Sequence, residues 1–239
     1  MLALDTLVAW FADSATTAVL VDADDTLWFD GRYFRILETR VRAAAVATGA
    51  DDALVSSCMR EALAKHGPGE RGFALAMQQV TRLLCPNSDR IVRHAIDEFE
   101  SHPIELVPHV VQALSRLHFL RRVLLTKGID TEQVSKLHRS GLQSSFDETL
   151  VLRRKNAGEL ASALHRLDLA PKQVIVIGNS LQHDIVPALT HGVRAVWMNH
   201  PENFFGRNGD ASRVACEVED WGPVVTSLDT IRGEPRGDD

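Results

Sequence analysis

The stretch AVLVDADDTLW, residues 18–28, decides the fold. Ala18-Val19-Leu20-Val21 has the length and β-branched content of a short buried strand. The run stops on Asp22, Asp24 and Asp25, and nothing in the packing of a strand calls for three acids at its carboxyl end. Their charges repel one another unless a cation compensates. In open α/β sheets the carboxyl ends of strands are where ligands bind. The stretch therefore reads as a divalent-metal site with a carboxylate nucleophile beside it. The plain alternative is an Asp-rich turn that caps a helix.

Three later fragments bear on that choice. Val123-Leu124-Leu125-Thr126-Lys127-Gly128 is a second apolar run, ending in a hydroxyl, a cation and a glycine. Lys155 follows the β-rich Thr149-Leu150-Val151-Leu152, and Val174-Ile175-Val176-Ile177 runs into GNSLQHDI, which carries Asn179, Ser180 and Asp184. In order, the strand ends present carboxylates, a hydroxyl with adjacent amides, an ammonium and a second acidic cluster. That inventory can hold a phosphoryl group and a magnesium ion.

These motifs, DADDT at 22–26, LLTKG at 124–128, Lys155 and GNSLQHD at 178–184, resemble those of the haloacid dehalogenase (HAD) superfamily of hydrolases. The resemblance spans residues 17–198 and is to the phosphatase branch with a helical cap inserted after motif I. Two positions depart from the pattern: Asp25 stands where the family most often has Gly, and Asn179 replaces the first acid of motif IV. The resemblance implies a Mg²⁺-dependent phosphoric monoester hydrolase working on a small phosphorylated metabolite through an aspartyl-phosphate intermediate. Asp22 is then the nucleophile. Asp24 protonates the leaving oxygen, later activates water, and lends its backbone carbonyl to the metal. Thr126 and the amides of Lys127 and Gly128 cradle phosphoryl oxygens. Lys155 neutralises charge, with Arg153 and Arg154 as competing cations.

Asn179 or Asp184 completes the metal shell with Asp22 and Asp24, hard oxygens suiting Mg²⁺. An acid at 179 is expected to tighten metal binding. The alternative function is a catalytically weakened HAD-like protein that binds a phosphorylated ligand or partner without efficient turnover. Dehalogenation is disfavoured because halide departure needs no acid, and the relatives that catalyse it lack the second aspartate. Trp28 could stack on a substrate or pack in the core. Arg71, in the loop Gly67–Gly72, could reach the polar part of a substrate. Asp25 reads as a turn residue.

Composition agrees with a globular enzyme. The chain has 239 residues, 45% of them hydrophobic and 24% charged, with a formal net charge of −6. An acidic pI near 5.9 argues against nucleic acid as the partner. The three cysteines have no metal-binding spacing and read as reduced core thiols of a cytoplasmic protein. The amino-terminal stretch lacks the basic region of a signal peptide, and no apolar run approaches the length that spans a bilayer. A monomer or homodimer without membrane association is expected.

Helical spacing over 3–14 and alternation of helix and strand from Pro108 to 198 predict a doubly wound parallel sheet, the HAD core, formed by residues 1–30 and 103–239. Residues 31–102 carry no strand signal and read as an all-helical cap of four helices, broken by His66-Gly67-Pro68-Gly69. Ser88 is the expected cap of the fourth of these helices. The tail 232–239 reads as disordered.

Overall fold

The computed structural model describes residues 2–67, 69–203 and 206–233. Most of the expected disordered tail lies outside these residues, as do Pro68 in the expected helix break and the side chain of Ser88. The chain forms two compact units, one of residues 1–29 and 104–239, the other of residues 30–103.

The first unit is an α/β sandwich around a six-stranded sheet. Its strands are β1 (Ala18–Val21), β4 (Arg121–Lys127), β5 (Glu148–Leu152), β6 (Val174–Gly178), β7 (Arg194–Met198) and β8 (Cys216–Val218), all parallel in the order β5-β4-β1-β6-β7-β8. A parallel sheet covered on both faces needs strands that are apolar on both, which is why β1 and β6 read as unbroken Val/Ile/Leu runs. Alternate residues divide between two cores. Val19, Val21, Leu124, Ile175 and Ile177 face α1 (Leu2–Ala12), α6 (Val110–Arg116) and α10 (Gly222–Arg232). Ala18, Leu20, Val123, Val174 and Val176 face α8 (Ala157–Arg166) and α9 (Val186–Thr190). Each buried Leu or Val contributes about 1.5–3 kcal/mol. The register sets Val21 beside Leu124 on one side and Ile177 on the other. Asp22 therefore leaves the sheet level with the ends of β4 and β6.

A short antiparallel pair, β2 (Trp28–Phe29) with β3 (Glu105–Leu106), joins the two segments that lead into and out of the second unit. Neither this pair nor α10 is apparent in the periodicity. Trp221, at the N-cap of α10, is fully buried, and its indole N–H donates to the Thr26 carbonyl at 2.8 Å. The last helix thus ties down the turn that carries the aspartates.

The second unit is all helical: α2 (Gly31–Ala47), α3 (Asp52–His66), α4 (Gly69–Leu84) and α5 (Asp89–Glu100). Its own core includes Leu37, Val41, Met59, Met77 and Val80, with Phe34, Phe73 and Phe99 in mutual ring contact at 4.7–5.6 Å. The loop expected over Gly67–Gly72 is instead helical from Gly69 onward. Gly72 makes that start possible: a side chain there would meet the Gly67 carbonyl oxygen at 2.3 Å.

Replacing Trp221 by Phe leaves the Thr26 carbonyl without its indole donor. The loss should be about 1–3 kcal/mol, read as a lowered urea midpoint at unchanged slope. A midpoint equal to wild type would mean that the bond does not hold the turn.

Candidate active site

Motif I is a turn with an unusual backbone. Asp25 has φ +55°, a left-handed conformation in which Gly is at ease and Asp is among the better-tolerated side chains. Its N–H donates to the Trp28 carbonyl at 2.8 Å, folding the chain back near the carboxyl end of the sheet.

Asp22 is 8% exposed. Its amide donates to Ile177, its Oδ2 accepts from Thr26 at 3.2 Å, and its Oδ1 accepts from Lys155 Nζ at 2.5 Å. The same ammonium donates to Asp184 Oδ1 at 2.6 Å, while Asp184 Oδ2 accepts from the Ser180 amide at 3.0 Å. Asp184 sits in a π-helical turn, Leu181–Ile185, and comes so close to Gly178 that a Cβ there would lie 2.5 Å from its carboxyl carbon. Two buried carboxylates therefore share one cation. Burial, then the neighbouring Asp184, pushes the Asp22 carboxyl up to about 7, with Lys155 pulling the other way. Burial works to lower Lys155, but Asp184 and Asp22 outweigh it and hold the ammonium above its ordinary range.

Asp24 has a separate set of partners. Lys136 Nζ reaches its Oδ1 at 3.0 Å, Gln133 Nε2 its Oδ2 at 2.9 Å, and Trp28 Nε1 its Oδ1 at 2.9 Å. Burial would raise this carboxyl, yet Lys136, Gln133 and Trp28 together hold it below the usual range. Gln133 and Lys136 lie one turn apart on α7 (Asp130–Arg139), both buried. The amide of Gln133 also accepts from Thr126 Oγ1 at 3.2 Å, linking the hydroxyl that ends β4 to Asp24. Sequence reasoning missed this pair, whose only local signal is two polar residues on the face of a helix that also buries Leu137.

The arrangement supplies hard anionic oxygens on Asp22 and Asp184 and net negative charge beside one ammonium. Those residues fit a hard divalent cation. Chemically, the site can present a carboxylate nucleophile with a second carboxylate two residues away.

A haloacid dehalogenase-like hydrolase family model matches residues 16–192. The chain belongs to the haloacid dehalogenase-like hydrolases. Among solved structures, it is similar to a haloacid dehalogenase-like family hydrolase from Xanthomonas campestris. That pair shares 26% identity over 91% of this chain and 98% of the other, with a TM-score of 0.71. A dehalogenase with an intermediate complex (15% identity, 91% and 97% covered, TM-score 0.62) has the same fold. So does a predicted phosphoglycolate phosphatase from Haemophilus somnus (17%, 92% and 98%, TM-score 0.56). A comparison with curated protein sequences returned no match.

Several sequence expectations for this HAD-like hydrolase need correction. Trp28 is fully buried and gives its N–H to Asp24, so it is core and not a stacking surface for substrate. Arg71 lies in the first turn of α4, exposed, and not in a loop. The Gly128 amide donates to the Leu152 carbonyl at 3.0 Å, so it is already engaged, while Lys127 ends β4 with an exposed side chain. Lys155, alone of the three adjacent cations, is buried against the acids; Arg153 and Arg154 are exposed.

Asn179 also has a role that the motif does not reveal. Its Nδ2 donates to Asn203 Oδ1 at 3.1 Å, and its carbonyl accepts from Asn203 Nδ2 and Trp197 Nε1. Asn203 further donates to Met198 and accepts from the Gly206 amide, which fixes its amide orientation. A carboxylate at 179 would have no hydrogen to donate and would face the Asn203 oxygen. Asn179→Asp should cost about 1–3 kcal/mol in thermal or urea unfolding instead of improving the site. Unchanged stability would put the Asn203 contact in doubt.

Asp22 yields a second expectation. A carboxyl that binds its proton more tightly folded than unfolded favours the fold at low pH. That contribution fades as pH rises from 3.8 towards 7, and above 7 the ionised group opposes folding. Asp22→Asn removes the charge and leaves Lys155 paired with Asp184. In chelator-treated protein, the Asn variant should gain on the order of 1 kcal/mol over wild type near pH 8 and less near pH 5. The opposite pH trend would mean that Asp22 is ionised at little cost.

Proposed function

We propose that this HAD-like hydrolase is a phosphoric monoester hydrolase acting on a small phosphorylated metabolite, with Asp22 as nucleophile and Asp24 as proton carrier. The observation that carries the reading is the separate support built around Asp24. Displacement of halide from carbon asks nothing of a second carboxylate, because halide leaves without a proton. Phosphoryl transfer from an ester needs one to serve the leaving oxygen and then the attacking water. Lys136, Gln133 and Trp28 hold that second carboxylate in one place.

Asp22 would attack phosphorus as the ionised carboxylate, which the Lys155 ammonium favours against the effect of burial. The ester P–O bond breaks as Asp22 becomes an acyl phosphate; a good leaving group departs as its oxyanion, and a poorer one takes a proton from the fraction of Asp24 that has bound one. Asp24 then removes a proton from water as it attacks the same phosphorus, and the Asp22 carboxylate returns. Lys155 remains beside Asp22 and Asp184 throughout, offsetting charge on the phosphoryl oxygens. Thr126, held by Gln133, would present its oxygen at the end of β4. Asp22, Asp184 and the Asp24 carbonyl would hold Mg²⁺, which when bound supplies charge neutralisation between nucleophile and phosphoryl group. Lys136 keeps Asp24 anionic in the free protein, which suits the water-activating half and disfavours poor leaving groups. An aryl phosphate, whose phenolate leaves readily, should therefore be turned over.

The test measures phosphate release from an aryl phosphate and chloride release from 2-chloropropionate, each with and without Mg²⁺. Metal-dependent phosphate release without chloride release is expected, and Asp22→Asn should abolish it. Lys136→Met should lower kcat by about 10–100-fold with little change in KM. Chloride release exceeding phosphate release would overturn the assignment.

A further inference from the structure

The helical unit has a second cluster of ligating groups, made wholly of its own residues. Asp30, Glu70 and His102 each offer one ligand atom, and these atoms all lie within 4.8 Å of one another. Asp30 and His102 are buried at 5% and 3% exposure, with Glu70 partly buried. They come from three elements: the N-cap of α2, the first turn of α4 and the segment just after α5.

The orientation of the histidine points to a ligand. His102 commits its Nδ1 to the Phe99 carbonyl at 2.5 Å, which makes Nδ1–H the donor and aims Nε2 at the two carboxylates. A metal-binding histidine is held in this way, its second nitrogen donating to a carbonyl that fixes tautomer and ring direction. Asp30 Oδ1 lies 3.6 Å from His102 Nε2, and Glu70 Oε1 lies at 4.0 Å. Ligands about 2.1 Å from a tetrahedral ion are roughly 3.4 Å apart, so a small inward shift would complete the set. The Tyr33 ring stacks on the imidazole at 4.1 Å, and a cavity of about 360 Å³ lined by Tyr33, Phe99, Ser101 and His102 lies beside it.

We propose that Asp30, Glu70 and His102 form a binding site for a first-row divalent transition ion, with Zn²⁺ as the reference member. One imidazole nitrogen and two carboxylate oxygens suit such an ion better than Mg²⁺ or Ca²⁺, which prefer all-oxygen shells. The ion would join the beginning and end of the helical unit through its α4. Without it, the imidazolium form of His102 is the competing occupant of the same space: burial opposes that form, while Asp30 and Glu70 favour it. Metal binding therefore displaces a proton.

The test titrates Zn²⁺ into chelator-treated full-length protein in millimolar Mg²⁺, added to compete for the Asp22 site. Calorimetry in two buffers of different ionisation enthalpy counts the protons released. One Mg²⁺-resistant Zn²⁺ ion per chain is expected, with proton release and a rise in Tm. Asp22→Asn should retain all three effects. Glu70→Gln and His102→Gln, checked for native circular dichroism, should each weaken Zn²⁺ binding at least tenfold and lose the Tm rise. If either variant misfolds, Zn²⁺ stoichiometry and proton release in wild type and Asp22→Asn decide the matter. Absence of Mg²⁺-resistant binding overturns the proposal, as do unchanged affinity in folded Glu70→Gln and His102→Gln or loss of the site in Asp22→Asn. Because Asp22 takes no part, failure here leaves the phosphatase reading standing, and failure of that reading leaves this site standing.

Discussion

Two buried carboxylates sharing a single ammonium form the constraint on which the α/β unit depends. Asp22 directly follows β1, and Asp184 lies in the turn after the adjacent strand β6, folded back beside Gly178. Lys155 follows β5, which is separated from β1 by β4, so a long side chain is needed to reach both. With the three groups charged, the sum is −1 in a place with little water. Removing the lysine would strand two like charges, and spreading the strands would cost the compensation that the sheet order provides. Gly178 is part of the same constraint, since only a residue without a side chain leaves Asp184 room to approach.

Around that triad the protein divides its electrostatic work. Lys155 serves Asp22, whereas Lys136 and Gln133 serve Asp24. Two aspartates separated by one residue thus occupy opposite environments, one carboxyl pushed up and the other held down. Environments that move two acids apart are what assign different roles to chemically identical groups. The fold alone does not decide the reaction, since dehalogenases and a predicted phosphatase share it.

The strands and their polar ends were legible in the sequence because a doubly covered sheet writes itself as short apolar runs. Asp22, Lys155 and Asp184 stand out for the same reason, as polar residues where such runs stop. Lys136 did not, because its partner lies 112 residues away and α7 alone carries no sign of it. Asn179 was legible only as a departure from an acid; its bond to Asn203 depends on how the chain returns after β7. The start of α4 was misread because Gly69 and Gly72 usually signal a loop, whereas here Gly72 permits close backbone approach. The Asp30, Glu70 and His102 cluster is dispersed over more than seventy positions and has no spacing that local reading could find.

The role proposed for Asp22 is that of a carboxylate nucleophile whose covalent intermediate is opened at phosphorus. Single-turnover reaction of an aryl phosphate in water enriched in oxygen-18, with enzyme in excess, tests it directly. Mass spectrometry then follows the label in released phosphate and in the peptide containing Asp22. Water that attacks phosphorus leaves its oxygen in phosphate and returns the aspartate unlabelled. Label is expected in phosphate and none in the Asp22 peptide. Label in the Asp22 carboxylate would mean attack at the acyl carbon and would rule out opening at phosphorus.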